Sequence, residues 1–213
     1  MTTHRISKLA TVAALAGIIT AGVVWAAADQ AASPFQLPPG WTAQDMAACM
    51  LAGTPGEPHK MMVQGEGTWT GQSTMWMFPG ADPIKSGGLA TVKPIMDGRY
   101  VQIEWTGEIP GMGAYHGMGI NGYDNVKGQY VSTYIDNHST GIVHGTGQLS
   151  PDQNTMTWTY HTTCALTKKP TTLRQVETMH GEDAMTLEMF GADPKTGKEF
   201  KMMHIEYKRE KQQ

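Results

Sequence analysis

Residues 65–78 read Gly65-Glu66-Gly67-Thr68-Trp69-Thr70-Gly71-Gln72-Ser73-Thr74-Met75-Trp76-Met77-Phe78. The stretch is rich in threonine and aromatic residues, which favour β-strands, and we expect it to form the first strand of a sheet. From there to Tyr207 the chain continues as short runs of Thr, aromatic and β-branched residues, each ended by turn residues at roughly regular spacing. The strongest turn signal is Asp97-Gly98, which predicts a type I′ turn. This pattern is typical of an antiparallel sheet.

Alternation within the runs indicates which side chains share a face of the sheet. Val101, Ile103 and Trp105 alternate with polar residues, as a half-buried strand requires. We count about ten such strands, with no helix among them long enough for a parallel crossover, so we expect an up-and-down meander. Closure would remove the two exposed edges of that meander, and we therefore predict an all-β antiparallel barrel. A sandwich with Greek-key connections is the alternative, because periodicity does not reveal which strands pair.

Six glycines interrupt the strand-like runs. We expect them to let a strongly curved backbone bend or bulge, as a small barrel requires. They are Gly87, Gly88, Gly117, Gly119, Gly145 and Gly147.

The first 28 residues have the pattern of a cleavable signal peptide. A basic segment ending at Lys8 precedes a 16-residue apolar run, 9–24, and small residues at Ala26 and Ala28 favour cleavage near Ala28. An uncleaved membrane anchor is the alternative, but the run is short of the roughly 20 residues that span a bilayer. We therefore predict a periplasmic or secreted protein without stable membrane insertion. Cleavage leaves 14 basic and 19 acidic residues, a net charge of −5, which argues against nucleic acid as a partner.

Residues 29–64 are predicted to be a proline-containing tether followed by a short helix. Thr42 and Asp45 can form a capping box and Gly53 can end the helix, which places it at about residues 43–52. We expect this helix to cover one end of the barrel through its apolar face, while a ligand enters from the other end. That face comprises Met46, Met50 and Leu51. The barrel domain itself is assigned to residues 65–208 and a C-terminal tail to 209–213.

Several blocks of sequence, in order from about His59 to Tyr207, carry a family resemblance. They include Gly67-Thr68-Trp69-Thr70-Gly71, Met75-Trp76-Met77-Phe78-Pro79-Gly80-Ala81, Asp97-Gly98-Arg99-Tyr100, Gly119-Ile120-Asn121-Gly122-Tyr123-Asp124-Asn125, Tyr130-Val131-Ser132-Thr133-Tyr134-Ile135-Asp136-Asn137 and Ser139-Thr140-Gly141-Ile142. Together they resemble the bacterial exported domain-of-unknown-function family 1579.

The resemblance implies a barrel similar to those of lipocalins and other calycins, and no established activity. It also implies structural roles for Gly67 and Trp69, because the Gly-x-Trp of lipocalins packs at the closed end of the barrel beside a late basic residue. Arg209 or Lys208 could supply that residue here. The chain departs from lipocalins in lacking a C-terminal helix after the last strand.

A barrel of this size often encloses one small ligand, and aromatic side chains with a few polar groups suit its lining. The predicted ligand-binding residues are Trp76, Tyr123, Tyr134, Asp136, His144 and Trp158. On this basis the leading hypothesis is a binding module for a small apolar or aromatic molecule. An interaction or structural protein with a filled core is one alternative.

A metal or haem site is a second alternative. The chain has 8 His and 16 Met, which suit copper in an oxidising compartment, but they are scattered and form no ligand motif. His116, His144, His161 and His204 lie in separate strands and could meet inside the barrel, where one could also ligate haem. We predict no metal and no cofactor, and assign the methionines to core filling.

An enzyme with a site at the barrel mouth is a third alternative. It would use Asp124, Asp136 or a histidine. Asp136, His138 and Ser139 contain the residue types of a hydrolase triad, but they are too close in sequence to line up readily. We predict a loop held by side-chain hydrogen bonds and no catalytic residue there.

Cys49 and Cys164 are the two cysteines of the chain. In an oxidising compartment they could form a disulfide that pins the short helix to a strand. Two buried free thiols are the alternative.

Overall fold

The computed structural model describes residues 37–211. Of the described residues, 37–41 belong to a first unit and those from Thr42 onward form a second, compact unit. The predicted signal peptide and residues 29–36 of the tether lie outside the described residues. No helix within 37–211 is both long and apolar enough to cross a bilayer.

The second unit contains two short helices followed by ten strands. The helices are α1 Ala43–Ala52 and α2 Glu57–Val63. The strands are β1 Gly67–Met75, β2 Ile84–Ile95, β3 Tyr100–Ile109, β4 Gly113–Asp124, β5 Gln129–Asp136, β6 Val143–Leu149, β7 Thr155–Thr163, β8 Pro170–Met179, β9 Ala184–Ala192 and β10 Glu199–Arg209.

The strands form a closed antiparallel barrel in which each strand pairs with its neighbours in sequence. Pairing of β1 with β10, from Trp69 opposite Arg209 to Met75 opposite Met203, completes the closure. The predicted all-β, up-and-down barrel is confirmed, and the sandwich alternative is wrong. The predicted turn at Asp97-Gly98 is present, as part of a four-residue connection in which Met96, Asp97 and Gly98 have φ angles of 51°, 55° and 77° and Arg99 N–H donates to Met96 O at 3.2 Å.

The up-and-down order gives the barrel two distinct ends. We call the end that carries the β2–β3, β4–β5, β6–β7 and β8–β9 connections the helix end, because the two helices precede β1 there. The opposite rim, with the other five connections, is the loop end. These names fix the position of each side chain discussed below.

Helix α1 begins and ends where the sequence predicts. Asp45 N–H donates to Thr42 Oγ1 at 3.2 Å, and Thr42 N–H donates to Asp45 Oδ2 at 2.8 Å, which completes the capping box. The expectation that α1 covers the barrel is wrong, since Met50 and Leu51 are 68% and 70% exposed. The end of α1 is held instead through its backbone, because Asn125 Nδ2 donates to Ala52 O at 3.1 Å.

Helix α2, which the sequence reasoning missed, covers the helix end. His59 is buried, its Nδ1 accepts from Gly56 N–H at 3.0 Å, and its ring meets Tyr123 edge to face at 5.9 Å. Met61 and Met62 pack against buried aromatic residues of the barrel. A helix of seven residues is not stable alone, so these contacts with the barrel are what stabilise it.

Trp69 and Arg209 fasten the first strand to the last at the helix end. The Trp69 indole N–H donates to Gly65 O at 3.1 Å, and the Arg209 guanidinium lies 4.2 Å above the Trp69 ring. Arg209 also donates to the backbone oxygens of Glu66, Gln64 and Glu182. Of the two basic residues proposed for this position, the structure places Arg209 there, as the last residue of β10 rather than in a tail.

The inner glycines make room for aromatic rings and do not mark bulges. Among the pairings of the described strands, the register shifts at one place, between Lys201 and Met203 of β10. A Cβ on Gly145 would lie 2.5 Å from Tyr160 Cδ1, and one on Gly147 would lie 2.7 Å from Trp158 Cε3. Gly71 beside Tyr207, Gly88 beside Trp105 and Gly117 beside Tyr134 show the same arrangement. Aromatic rings therefore lie flat against the barrel wall.

Candidate ligand-binding interior

Two separate apolar clusters line the interior of the barrel. The Trp69 cluster consists of Trp69, Ala90, Trp105, Leu187, Ile205 and Tyr207. The Trp158 cluster consists of Tyr130, Trp158 and Tyr160. Partly buried methionines pack against both clusters, among them Met185 on the first and Met156 on the second.

Polar side chains also face the interior. Asn121, Ser132 and Gln175 are buried. Ser132 Oγ lies 3.3 Å from the Tyr160 hydroxyl. Near the loop end, the hydroxyls of Tyr115 and Tyr134 lie 3.1 Å apart. Burial raises the pKa of both tyrosines, so both stay neutral hydroxyls at physiological pH.

Glu177 is the most unusual inward-facing residue. It lies on β8 near the helix end, between the inward-facing Gln175 and Met179. Many protein atoms surround it, and its side chain is partly buried. Burial raises the pKa of its carboxyl, while the nearby N–H groups of Gln175 and Trp158 oppose the rise. Gln175 Nε2 donates to Glu177 Oε1 at 2.6 Å.

Two indole N–H groups in the interior have no partner of good hydrogen-bond geometry. They belong to Trp158, which is 2% exposed, and to Trp105, which is 8% exposed. Trp158 Nε1 is close enough to Glu177 to affect the pKa of its carboxyl, and Trp105 Nε1 is close enough to Tyr207 to affect the pKa of its phenol. Neither contact has the distance and angle of a hydrogen bond. Buried donors are rarely left unpaired, so these two positions favour an acceptor supplied by water or a ligand.

The charges on the inner face are unbalanced. Along the inward-facing positions of the ten described strands, the carboxylates are Glu177 and Asp136, and the basic side chain is Arg209. Arg209 is occupied by Trp69 and by backbone oxygens at the rim. The interior therefore contains a carboxyl group without a basic partner.

The predicted ligand-binding residues are divided between the interior and the outside. Tyr134 and Trp158 face inward, and so does Tyr123, which contacts His59 and Tyr130. Tyr123 and Trp158 lie in the half of the barrel nearer the helix end. Asp136 lies at the loop end, where its Oδ1 accepts from His138 N–H at 2.8 Å.

Trp76 and His144 do not line the interior. Trp76 follows β1 and lines an outer groove of about 440 Å³ together with Phe78 and Phe200. This groove is largely open to solvent, whereas ligand sites usually bury most of the ligand surface, so we favour the interior over the groove. A second depression, of about 310 Å³, lies on the outer face of β2 and β3.

The expectation that four histidines meet inside the barrel is wrong. His116, His144 and His161 are exposed on the outer face, and His204 lies there beside Glu188. Each alternates with an inward-facing neighbour, so the pleat of the strand points it outward. Among the described residues, no group of three or more His, Cys, Asp or Glu could hold a metal ion.

The disulfide is absent, and both cysteines are free thiols. Cys49 lies on α1, whose end is held at the helix end, and Cys164 follows β7 at the loop end. Strands of roughly nine residues, tilted as in other barrels, separate the two ends by about 20–25 Å, whereas a disulfide needs Cα atoms within about 7 Å. The alternative of two buried free thiols is also wrong in its burial, because Cys49 is exposed and Cys164 is partly exposed.

The candidate catalytic aspartates have structural roles. Asp124 Oδ1 accepts from Val126 N–H at 2.9 Å in the β4–β5 turn. His138 Nε2 lies 3.2 Å from Ala114 O, and its ring meets that of Tyr115, so the loop after β5 folds onto β4. This arrangement matches the predicted hydrogen-bonded loop.

Sequence reasoning missed Gln175 and Glu177. A signal was present: β8 alternates Leu173, Gln175, Glu177 and Met179 with the outward-facing residues between them. Two apolar residues flanking two polar ones on a single face indicate a polar position inside an apolar lining.

A search of curated proteins finds no match to this chain. Solved structures show the same fold at low sequence identity. The S-type phycobiliprotein lyase CPES from Guillardia theta is 9% identical with a TM-score of 0.51, and the match covers 77% of this chain and 98% of that one. Rv2717c from M. tuberculosis is 13% identical with a TM-score of 0.54, covering 73% and 99% respectively. The model of the family described as proteins of unknown function, DUF1579, matches residues 54–209, and the chain belongs to that family.

Proposed function

We propose that this protein is an exported binding module that holds one small, apolar or aromatic molecule inside its barrel. The observation that carries the proposal is an interior lined by the Trp69 and Trp158 clusters together with buried polar residues, in which each cluster contains an indole N–H without a partner. Ligand sites have this composition, an apolar and aromatic lining with a few polar groups that orient the ligand. Export rests on the sequence of residues 1–28 alone.

The arrangement of the two ends supports entry at the loop end. Helix α2 packs Met61 and Met62 against the Trp158 cluster and so covers the helix end. Among the described residues, no helix lies at the loop end. A ligand entering there would first meet Tyr115, Tyr134 and Asp136 before reaching the deeper aromatic groups.

The proposal is tested by tryptophan fluorescence of the purified protein titrated with fatty acids, retinoids, phenolics and haemin. Binding inside the barrel should quench Trp158 and Trp105, so Trp158→Phe should reduce the amplitude of quenching. The matched control is Trp76→Phe, which removes the indole of the outer groove and should leave the quenching in place. Native mass spectrometry of the same preparation would reveal a ligand that co-purifies.

Failure of every ligand class to bind, together with an experimental structure showing a filled interior, would contradict the proposal. Quenching that Trp76→Phe abolishes would instead move the site to the outer groove. A shifted Soret band on adding haemin would identify haem as the ligand.

A further inference from the structure

Glu177 carries an inference about the ligand that rests on the proposed function. A carboxylate inside a protein is costly unless an opposite charge or several hydrogen bonds compensate it. The inward-facing positions of the described strands provide no free basic side chain, because Arg209 is held at the rim by Trp69. A structural buried carboxylate would normally have such a partner within the chain.

Two N–H donors are placed to favour the ionised form of Glu177. Gln175 Nε2 donates to Oε1 at 2.6 Å, and the unpartnered Trp158 Nε1, in a side chain that is 2% exposed, lies on the same side of the interior. Hydrogen bonds to a carboxylate stabilise its charged form. A small movement of the carboxyl toward Trp158 would pair both the indole N–H and the second carboxylate oxygen.

Aromatic rings surround the same space. Tyr160 and Tyr207 lie close to Glu177. Burial is the largest cause of the raised pKa of each phenol, and the negative charge of Glu177 is the second. Trp158 stacks on Tyr160 with ring centroids 6.2 Å apart. Ring faces attract organic cations, and the attraction grows when water is excluded.

We infer that the interior selects a small aromatic molecule bearing a protonated amine. The ammonium group pairs with Glu177, and the rings of Trp158, Tyr160 and Tyr207 surround this ion pair. The amine supplies the cation that the chain itself lacks at this position. The loop end carries a second inward-facing carboxylate, Asp136, which gives an approaching cation a favourable path.

The charge of the ligand should make binding depend on pH. The direct neighbours of Glu177 in the sheet are apolar, Met156 of β7 and Leu187 of β9. The titratable groups near it on β7 and β10 are the phenols of Tyr160 and Tyr207. The buried imidazole at the same end of the barrel, His59 of α2, packs against Tyr123 instead. Since the pKa of Glu177 is raised, binding a cation should release a proton, and affinity for the cation should rise with pH until the free carboxyl is fully ionised.

The test compares two ligands of the same shape, 1-naphthylmethylamine, which is a cation, and 1-naphthalenemethanol, which is neutral. We expect the amine to bind the purified protein roughly tenfold or more tightly than the alcohol, as judged by calorimetry. Glu177→Gln should bring the two dissociation constants to within about twofold of each other, mainly because it weakens the binding of the amine. Glu206→Gln, which changes a carboxylate on the outside of β10, is the matched control and should keep the preference.

Equal affinity of the wild-type protein for both ligands, or a preference that Glu177→Gln retains, would overturn the inference while leaving a ligand-binding barrel intact. Absence of binding by both ligands would overturn the inference as well, and the broader ligand panel would then decide the proposed function. If Glu177→Gln fails to fold, the wild-type protein alone decides: affinity for the amine should increase as pH rises above 4.5, the ordinary pKa of a glutamate, while affinity for the alcohol stays constant. A flat profile for the amine would contradict the inference.

Discussion

Replacing Gly145 with alanine tests whether the inner glycines exist to seat aromatic rings. The new Cβ would lie 2.5 Å from Cδ1 and 2.6 Å from Cε1 of Tyr160, against the roughly 3.5–4.0 Å of ordinary carbon contacts. The ring must therefore move by about 1 Å. It is held in place by stacking on Trp158 and by Ser132 Oγ, 3.3 Å from its hydroxyl. Overpacking of this kind costs about 1–3 kcal/mol, while alanine in a strand regains about 0.5–1 kcal/mol over glycine.

We therefore expect Gly145→Ala to lower the free energy of unfolding by roughly 1–2 kcal/mol, measured by urea denaturation. Gly141→Ala is the matched control, since a Cβ there meets nothing within 4 Å, and it should change stability by less than about 0.5 kcal/mol. Combining Gly145→Ala with Tyr160→Ala removes the obstructing ring. The double variant should then be more stable than the sum of the single changes by about 1 kcal/mol or more.

Wild-type stability in Gly145→Ala would refute the steric argument. Strict additivity in the double variant would also refute it, because the cost of the methyl group would then be independent of the Tyr160 ring.

Three further outcomes are expected. Trp69→Ala should lower the free energy of unfolding by about 3–5 kcal/mol in denaturant titration, because it removes a buried ring and its contact with Arg209; a loss below about 1 kcal/mol would speak against this role. The melting temperature of Glu177→Gln should rise relative to that of the wild type as pH rises above 4.5. The pKa of the Glu177 carboxyl is raised in the folded state, so the wild-type carboxyl stabilises the fold at low pH and loses this contribution as pH rises through its folded-state pKa. A difference in melting temperature that does not depend on pH would contradict this assignment. N-terminal sequencing of the exported protein should begin near Asp29, and an intact Met1 in the membrane fraction would reverse the predicted localisation.

The barrel could be predicted because most strands show period-two alternation and the connections are short. Strand β6 shows where this fails: its inward positions are Val143, Gly145, Gly147 and Leu149, and the two glycines carry no hydropathy signal. The sequence of β6 therefore does not show on which face of the sheet His144 lies, and its assignment to the interior is wrong. The glycines were assigned to bulges because their partners, aromatic rings on neighbouring strands, become visible only once the pairing is known.

The candidate site was harder to predict because it breaks the local rule. In β8 the inward residues include Gln175 and Glu177 while Val176 faces outward, the reverse of a normal buried face. Such conflicts between local pattern and fold are expected at functional positions. Helix α2 was missed for another reason: it has seven residues with Pro58 near its start, and it is stabilised by Met61 and Met62 packing on the barrel.

The central claim, that the interior of the barrel binds the ligand, is tested most directly by the indole resonances in ¹H–¹⁵N NMR spectra of the protein titrated with 1-naphthylmethylamine. The unpartnered N–H groups of Trp105 and Trp158 face the interior, Trp76 lines the outer groove, and Trp41 lies outside the barrel domain. We predict that the Trp105 and Trp158 signals shift together with one dissociation constant while those of Trp41 and Trp76 stay in place. Shifts confined to Trp76 at saturating ligand would contradict the claim.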